Sequence, residues 1–289
     1  MGRAAQLCVN REDRGIRRAT AVCDGVWDRN GTKMVLRGPL NALWGMLPTV
    51  LSVGGPVDRV ELKALLDGEF ESALAVLGPE VDPPRVRRVH YFDTPDLALL
   101  RRGVVVRARV TGLPGSRPRE EVVVKLRRPA PHGPYRTWSL AMELDALPTE
   151  VAWAASLRRR LPEGHVPDAV DRRRPALHLL GKKQRTLLRS VVGDEVDLED
   201  LVVMGPVDVV RLTSGRPGDR IGIESWTLPD SSRLLELSAK CRPGHSREVA
   251  AQVRALIADH GIVLSDRQAT KTQLLLQRIA GIPGRCGPA

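Results

Sequence analysis

The residues of this chain that could do chemistry come in pairs at strand spacing. Arg107 and Arg109, Lys125 and Arg127, Glu143 and Asp145, and Glu61 and Lys63 stand two apart, and Glu236 and Lys240 flank Ser238. Side chains alternate across a strand, so each pair shares one face. The opposite faces are apolar: Val104, Val106, Ala108 and Val110; Val122, Val124 and Leu126; Met142, Leu144 and Ala146; Val60 and Leu62; Leu235, Leu237, Ala239 and Cys241. Two arrangements satisfy such strands. An open sheet packed on helices leaves the ionic faces in water. A closed barrel with the apolar faces outward under helices puts the charges in its bore, where each must be paired or bind something. A polyanion with a divalent cation satisfies both signs, Arg and Lys holding phosphate oxygens and carboxylates holding Mg2+ or Mn2+.

The elements that would position these residues follow in order. Strands are expected at Val60–Leu65, Val89–Phe92, Val104–Val110, Glu121–Arg127, Trp138–Ala146, Lys182–Val192, Val207–Leu212, Arg220–Leu228 and Arg233–Cys241. The last two are joined by the turn Pro229-Asp230-Ser231-Ser232. Helices are expected where apolar residues recur at helical spacing: Phe70, Ala73, Leu74 and Leu77 before Gly78, a segment from about Glu150 to Leu161, and one opened by Ser246 and closed by Gly261. Asp93 or Thr94 can cap a short turn with Pro95 in its first position. The body reads as about eight or nine strands in sequence with a few helices, an α+β pattern that suits an antiparallel sheet or barrel. Residues 1–55 show no sustained period and read as a poorly ordered leader, 56–281 as the strand-rich domain and 282–289 as a tail.

Composition narrows the chemistry. A formal net charge of +11 favours anionic partners. Aromatic residues are only 3% of the chain, too few to suggest base stacking, so no specific nucleic-acid partner is expected. No GxGxxG or Walker A pattern precedes a helix. Cys8, Cys23, Cys241 and Cys286 form no metal-binding spacing, and the six histidines form no triad. No stretch is long enough to span a membrane, and a cytoplasmic location is expected.

One block is more specific. His90-Tyr91-Phe92-Asp93-Thr94-Pro95-Asp96-Leu97-Ala98-Leu99-Leu100, followed by Gly103 and Arg107-Ala108-Arg109, resembles the "YFDT…L…G…LRxR" block of the CYTH (adenylate cyclase/thiamine triphosphatase) superfamily. The resemblance runs over roughly residues 57–279 and is especially close to actinobacterial members. Within it Glu61 and Lys63 look like the second Glu and the Lys of the ExExK motif, and Lys125, with Arg127 nearby, like the next basic strand. Glu143 and Asp145 look like the mid-chain ExE pair, Lys183 or Arg185 like a later basic strand, Glu236 and Lys240 like the C-terminal acidic strand, and Ser265 and Lys271 like the closing Ser/Lys segment. Arg59 replaces the first Glu of ExExK, Asp145 a longer acid, and Ser238 a second acid, which thins the ligand set. Glu224 is a candidate replacement.

The resemblance implies an α+β fold, an antiparallel eight- or nine-stranded β-tunnel (a closed barrel) with flanking helices, that binds a triphosphate-bearing small molecule or polyphosphate with Mg2+ or Mn2+. Arg107, Arg109, Lys125, Arg127, Lys183, Arg185 and Lys240 would bind the substrate. Glu61, Glu143, Asp145 and Glu236 would hold metal, and Lys63 would orient or activate the attacking water. Three activities fit: triphosphate hydrolysis, cyclic AMP formation by attack of a ribose 3′-hydroxyl, and polyphosphate or nucleotide binding without turnover.

Overall fold

The computed structural model describes residues 26–27, 33–34, 44–53, 57–112, 116–127, 140–148, 150–214 and 220–281. A two-residue pairing of β1 (Val26–Trp27) with β2 (Lys33–Met34) precedes α1 (Leu47–Val53). Then follow β3 (Arg59–Leu66), α2 (Phe70–Leu74), β4 (Arg85–Asp93), α3 (Ala98–Arg101), β5 (Val104–Gly112), β6 (Arg119–Arg127), β7 (Ala141–Ala146) and β8 (Val151–Leu161). The chain continues through α4 (His165–Val170), α5 (Lys182–Val192), β9 (Val202–Ser214), β10 (Arg220–Thr227), β11 (Arg233–Cys241), α6 (Ser246–Asp259) and α7 (Lys271–Ile279).

Strands β3 to β11 close into a nine-stranded barrel in the order β10-β11-β3-β7-β8-β6-β5-β4-β9. Every pairing is antiparallel except β3 with β7, which run parallel, so the sheet is mixed. The alternating faces resolve as a closed barrel requires. Val60, Leu62, Leu144, Leu237 and Ala239 face outward beneath α1, α2 and α6. Val104, Val106, Val122 and Val124 face outward beneath α4 and α5. The Asp93-Thr94-Pro95 block is a structural device. The Asp93 carboxylate accepts the N–H groups of Thr94, Leu99 and Leu100, and Thr94 Oγ1 accepts that of Ala98. This turns β4 through α3 into β5 by satisfying donors that a short helix leaves open. Gly103 follows at φ +70°, where a Cβ would meet the Arg127 carbonyl at 2.9 Å.

Three expectations are corrected. Residues 151–161, expected as a helix, form β8, because pairing with β6 and β7 completes the wall and overrides an Ala-rich sequence without clear alternation. Residues 182–192, expected as a strand, form α5. Its Gln184 donates to the Val122 and Leu157 carbonyls, and Leu187, Leu188 and Val192 pack on the outer wall. Residues 44–53, placed in the leader, form a buried helical segment: Leu47 and Val50 join the outer core and Trp44 Nε1 donates to the Ala146 carbonyl at 2.9 Å. The remaining leader, apart from β1 and β2, and the tail 282–289 lie outside the described residues.

One end of the bore is filled. Cross-strand partners share a face, so Val89 and Tyr91, opposite Arg109 and Arg107, point inward. They pack with Val105, Val207, Val209 and Trp226 against Leu275 and Leu276 of α7. The segment leading to α7 is held by Gln268, whose amide exchanges hydrogen bonds with the Leu65 backbone N–H and C=O at 2.9 and 2.8 Å. The bore is a cup, apolar at its floor and ionic above.

Candidate functional site

The ionic residues inside the cup form three groups. The first joins β3, β6, β7 and β11. Asp145, 1% exposed, receives Lys63 Nζ on Oδ1 at 2.9 Å, and Lys125 Nζ and Arg127 Nη1 on Oδ2 at 2.8 and 3.4 Å. Lys63 also meets Glu61 at 3.0 Å, Lys240 meets Glu61 at 3.4 Å, and Lys125 meets Glu143 at 3.6 Å. Small residues on β8 lie beside this group in register: Ala152 with Asp145, Ala154 with Glu143 and Arg127, and Ser156 with Lys125. They leave volume next to the charges.

The second group lies toward the floor. Glu224 accepts from Arg211 at 3.1 Å, from Trp226 Nε1 at 2.9 Å and from Lys271, with Arg87 at 3.5 Å. Lys271 bridges to Glu236 at 2.6 Å and stands over the Trp226 ring, 4.2 Å from its centroid. The third group is at the mouth, where Glu121 meets Arg109 at 3.3 Å and Arg158 at 3.4 Å.

Electrostatics follow from burial set against pairing. Burial works against the charge on Asp145, but Lys125, Lys63 and Arg127 outweigh it and hold the carboxyl well below its usual range. Glu61 is lowered by Lys63 and Lys240 against the same burial. Burial opposes charge on Lys63 too, yet Asp145, Glu61 and Glu236 raise its pKa above the ordinary lysine value. Lys63 is therefore a proton-bearing cation, suited to orienting or neutralising and not to acting as a base. At Lys125 burial wins over Asp145 and pulls the pKa down to about 8. Glu236 goes the other way from Glu224: burial raises its pKa, whereas Lys271, Arg211 and Arg87 hold Glu224 well below the carboxylate range.

Some bore atoms have no hydrogen-bond partner among the described residues. Arg107 lies on the inward face between Arg87 and Arg109 and makes no ion pair among the described residues; its Nε is buried without a hydrogen bond. Arg127 Nε, Ser238 Oγ and Tyr91 Oη are buried and unpartnered as well. Buried donors without acceptors are costly, and an anion's oxygens would satisfy donors that converge on one enclosure.

The inward faces expected at Glu61, Lys63, Arg107, Arg109, Lys125, Arg127, Glu143, Asp145, Glu236 and Lys240 all occur. Lys183 and Arg185 do not join them. They sit on α5 outside the wall, Lys183 exposed and Arg185 partly buried, because their segment is helical. Glu61, Glu143 and Asp145 offer carboxylate oxygens within 4.8 Å of one another, an all-oxygen set that suits Mg2+ or Mn2+. Glu236 is apart from that trio and is tied to Lys271. Arg87 and Arg211 were not foreseen. Arg87 extends the alternation of β4 backward from Val89, and Arg211 continues an inward face that is otherwise the apolar Val207 and Val209.

No protein-family profile matches the chain, and no curated protein matches it. Solved structures do. A candidate adenylyl cyclase from Hippeastrum, HpAC1, described with a dominant triphosphatase activity, superposes with a TM-score of 0.56 at 13% identity, covering 75% of this chain and 95% of that one. A candidate adenylate cyclase from Bacillus halodurans gives a TM-score of 0.52 at 13% identity over 75% of this chain and 98% of the other. Among the described residues no helix is long and apolar enough to cross a membrane. The chain has the fold of these cyclase and triphosphatase structures, the tunnel fold that its resemblance to the CYTH superfamily implies.

Proposed function

We propose that the cup binds the triphosphate end of a small molecule and hydrolyses it with a divalent cation, Mg2+ or Mn2+, held by Glu61, Glu143 and Asp145. The carrying observation is Arg107, an inward guanidinium without an ion pair among the described residues, in the same enclosure as that carboxylate trio. Inorganic triphosphate, thiamine triphosphate and a nucleoside triphosphate all present the required anion. The apolar floor under α7 supports entry from one side, phosphates inward and any organic group at the mouth.

In this reading Arg87, Arg107, Arg109 and Arg211 take the phosphate oxygens from one side of the bore, and Lys125 and Arg127 from the other. Lys63 keeps its proton and orients the nucleophilic water. The water oxygen bonds to the terminal phosphorus as the bridging P–O bond breaks, the water's proton passes to an oxygen of the phosphate being formed, and the cations stabilise the charge gathering on the departing diphosphate end. The cation, when bound, supplies further charge stabilisation at the phosphoryl oxygens.

The test is an assay of the purified chain with tripolyphosphate, thiamine triphosphate and ATP in Mg2+ or Mn2+, measuring phosphate release and cyclic AMP. Phosphate release that Lys125→Ala and Glu143→Ala abolish is expected. Turnover no greater than in those variants refutes the enzyme. Cyclic AMP as the main product from ATP replaces water by the ribose 3′-hydroxyl.

A further inference from the structure

The trio proposed to hold the cation is already occupied by the protein's own ammonium groups. Lys63 Nζ lies 3.0 Å from Glu61 and 2.9 Å from Asp145, between two of the three carboxylates. The other Asp145 oxygen has Lys125 at 2.8 Å, and the other Glu61 oxygen has Lys240 at 3.4 Å. Glu143, with one contact at 3.6 Å, is the most loosely held. A divalent ion entering this arrangement would meet ammonium groups at close range and carboxylates already neutralised. Arg107 presents the opposite case, a cation with no carboxylate partner among the described residues.

We propose that in the free protein Lys63 and Lys125 close the carboxylate trio to divalent cations, and that an arriving polyanion opens it by drawing both ammonium groups onto its own oxygens. This rests on reading the cup as a triphosphate site. Lysine carries its charge on a flexible four-carbon stem, so the exchange needs side-chain rotation and no movement of the wall. Asp145 and Glu61, released from the lysines, then face the cation. Metal and anion bind with positive coupling, and because coupling is reciprocal, each tightens the other by the same factor.

The experiment titrates Mn2+ into metal-stripped full-length protein and follows unbound Mn2+ by electron paramagnetic resonance, with sulfate, a weak Mn2+ ligand, as the anion probe. Lys63→Met and Lys63→Gln bind Mn2+ at least about tenfold more tightly than the unaltered protein without anion, a factor within the usual range of site–site coupling. Lys63→Arg, which keeps the charge, stays weak. Sulfate strengthens Mn2+ binding to the unaltered protein and has a smaller effect on Lys63→Met, in which only Lys125 remains to be drawn off Asp145; this arm needs no variant to fold for its first half. Equal Mn2+ affinity in the unaltered protein and Lys63→Met, or no effect of sulfate, overturns the proposal. Tripolyphosphate binding to the metal-stripped protein separates the two ideas. If it binds and the Mn2+ affinities are equal, only the closure is wrong; if it does not bind, the reading of the cup fails first.

Discussion

Replacing Asp145 by Asn tests whether the bore charges are a buried, paired network. The substitution keeps size and shape and removes one negative charge. Asp145 is 1% exposed and holds Lys63, Lys125 and Arg127 at 2.9, 2.8 and 3.4 Å. Removing one partner of a buried pair costs about 3–5 kcal/mol. Lys125, with its pKa already near 8, can relieve part of the excess by releasing its proton, which puts the expectation at the lower end, about 3 kcal/mol. At ~2–4 °C per kcal/mol for a domain of this class, the midpoint of thermal unfolding should fall by about 6–12 °C. Circular dichroism at pH 7, with urea unfolding as a second measure, gives both numbers. The pH dependence has a definite sign. The folded pKa of Asp145 is below its unfolded value, so its contribution is present above about pH 4 and is lost as pH falls through the folded pKa. The deficit of Asp145→Asn therefore shrinks in acid. Stability within about 1 kcal/mol of the unaltered protein at pH 7 is the value of a solvent-exposed pair and refutes the enclosed network.

Arg107→Ala should weaken tripolyphosphate binding by roughly 1.5–3 kcal/mol, the worth of a hydrogen bond to a charged group, without lowering the unfolding midpoint, because no ion pair among the described residues is lost. Calorimetric titration reads the affinity, and Lys183→Ala and Arg185→Ala, on the outer helix α5, should leave it unchanged. Glu224→Gln should cost several times more stability than Glu236→Gln, since burial already opposes charge on Glu236, whereas Glu224 compensates Lys271, Arg211 and Arg87; equal losses in urea unfolding contradict this. Tripolyphosphate affinity should fall as pH rises through about 8, where Lys125 loses its proton, and Lys125→Arg should flatten that part of the profile; the same slope in both proteins assigns it to the ligand's own titration.

The alternation of ionic and apolar residues along β3, β5, β6, β7 and β11 was legible because strand geometry is local: a period of two assigns every side chain to a face before any partner is known. The turn after β4 was legible for the same reason, since Asp93 and Thr94 bond to backbone within seven residues. β8 and α5 were not. Val151–Leu161 takes its extended form from pairing with two strands, and Lys182–Val192 gains its helix by packing Leu187, Leu188 and Val192 and hydrogen-bonding Gln184 onto a wall made elsewhere in the chain. That exchange moved Lys183 and Arg185 from the expected site to the exterior. The sequence alone determined which residues share a face, because that depends on neighbours in the chain. Only closure of the sheet decided that those faces look inward, which carboxylate each cation meets, and that Arg107 meets none among the described residues, because these depend on strands brought together across the barrel.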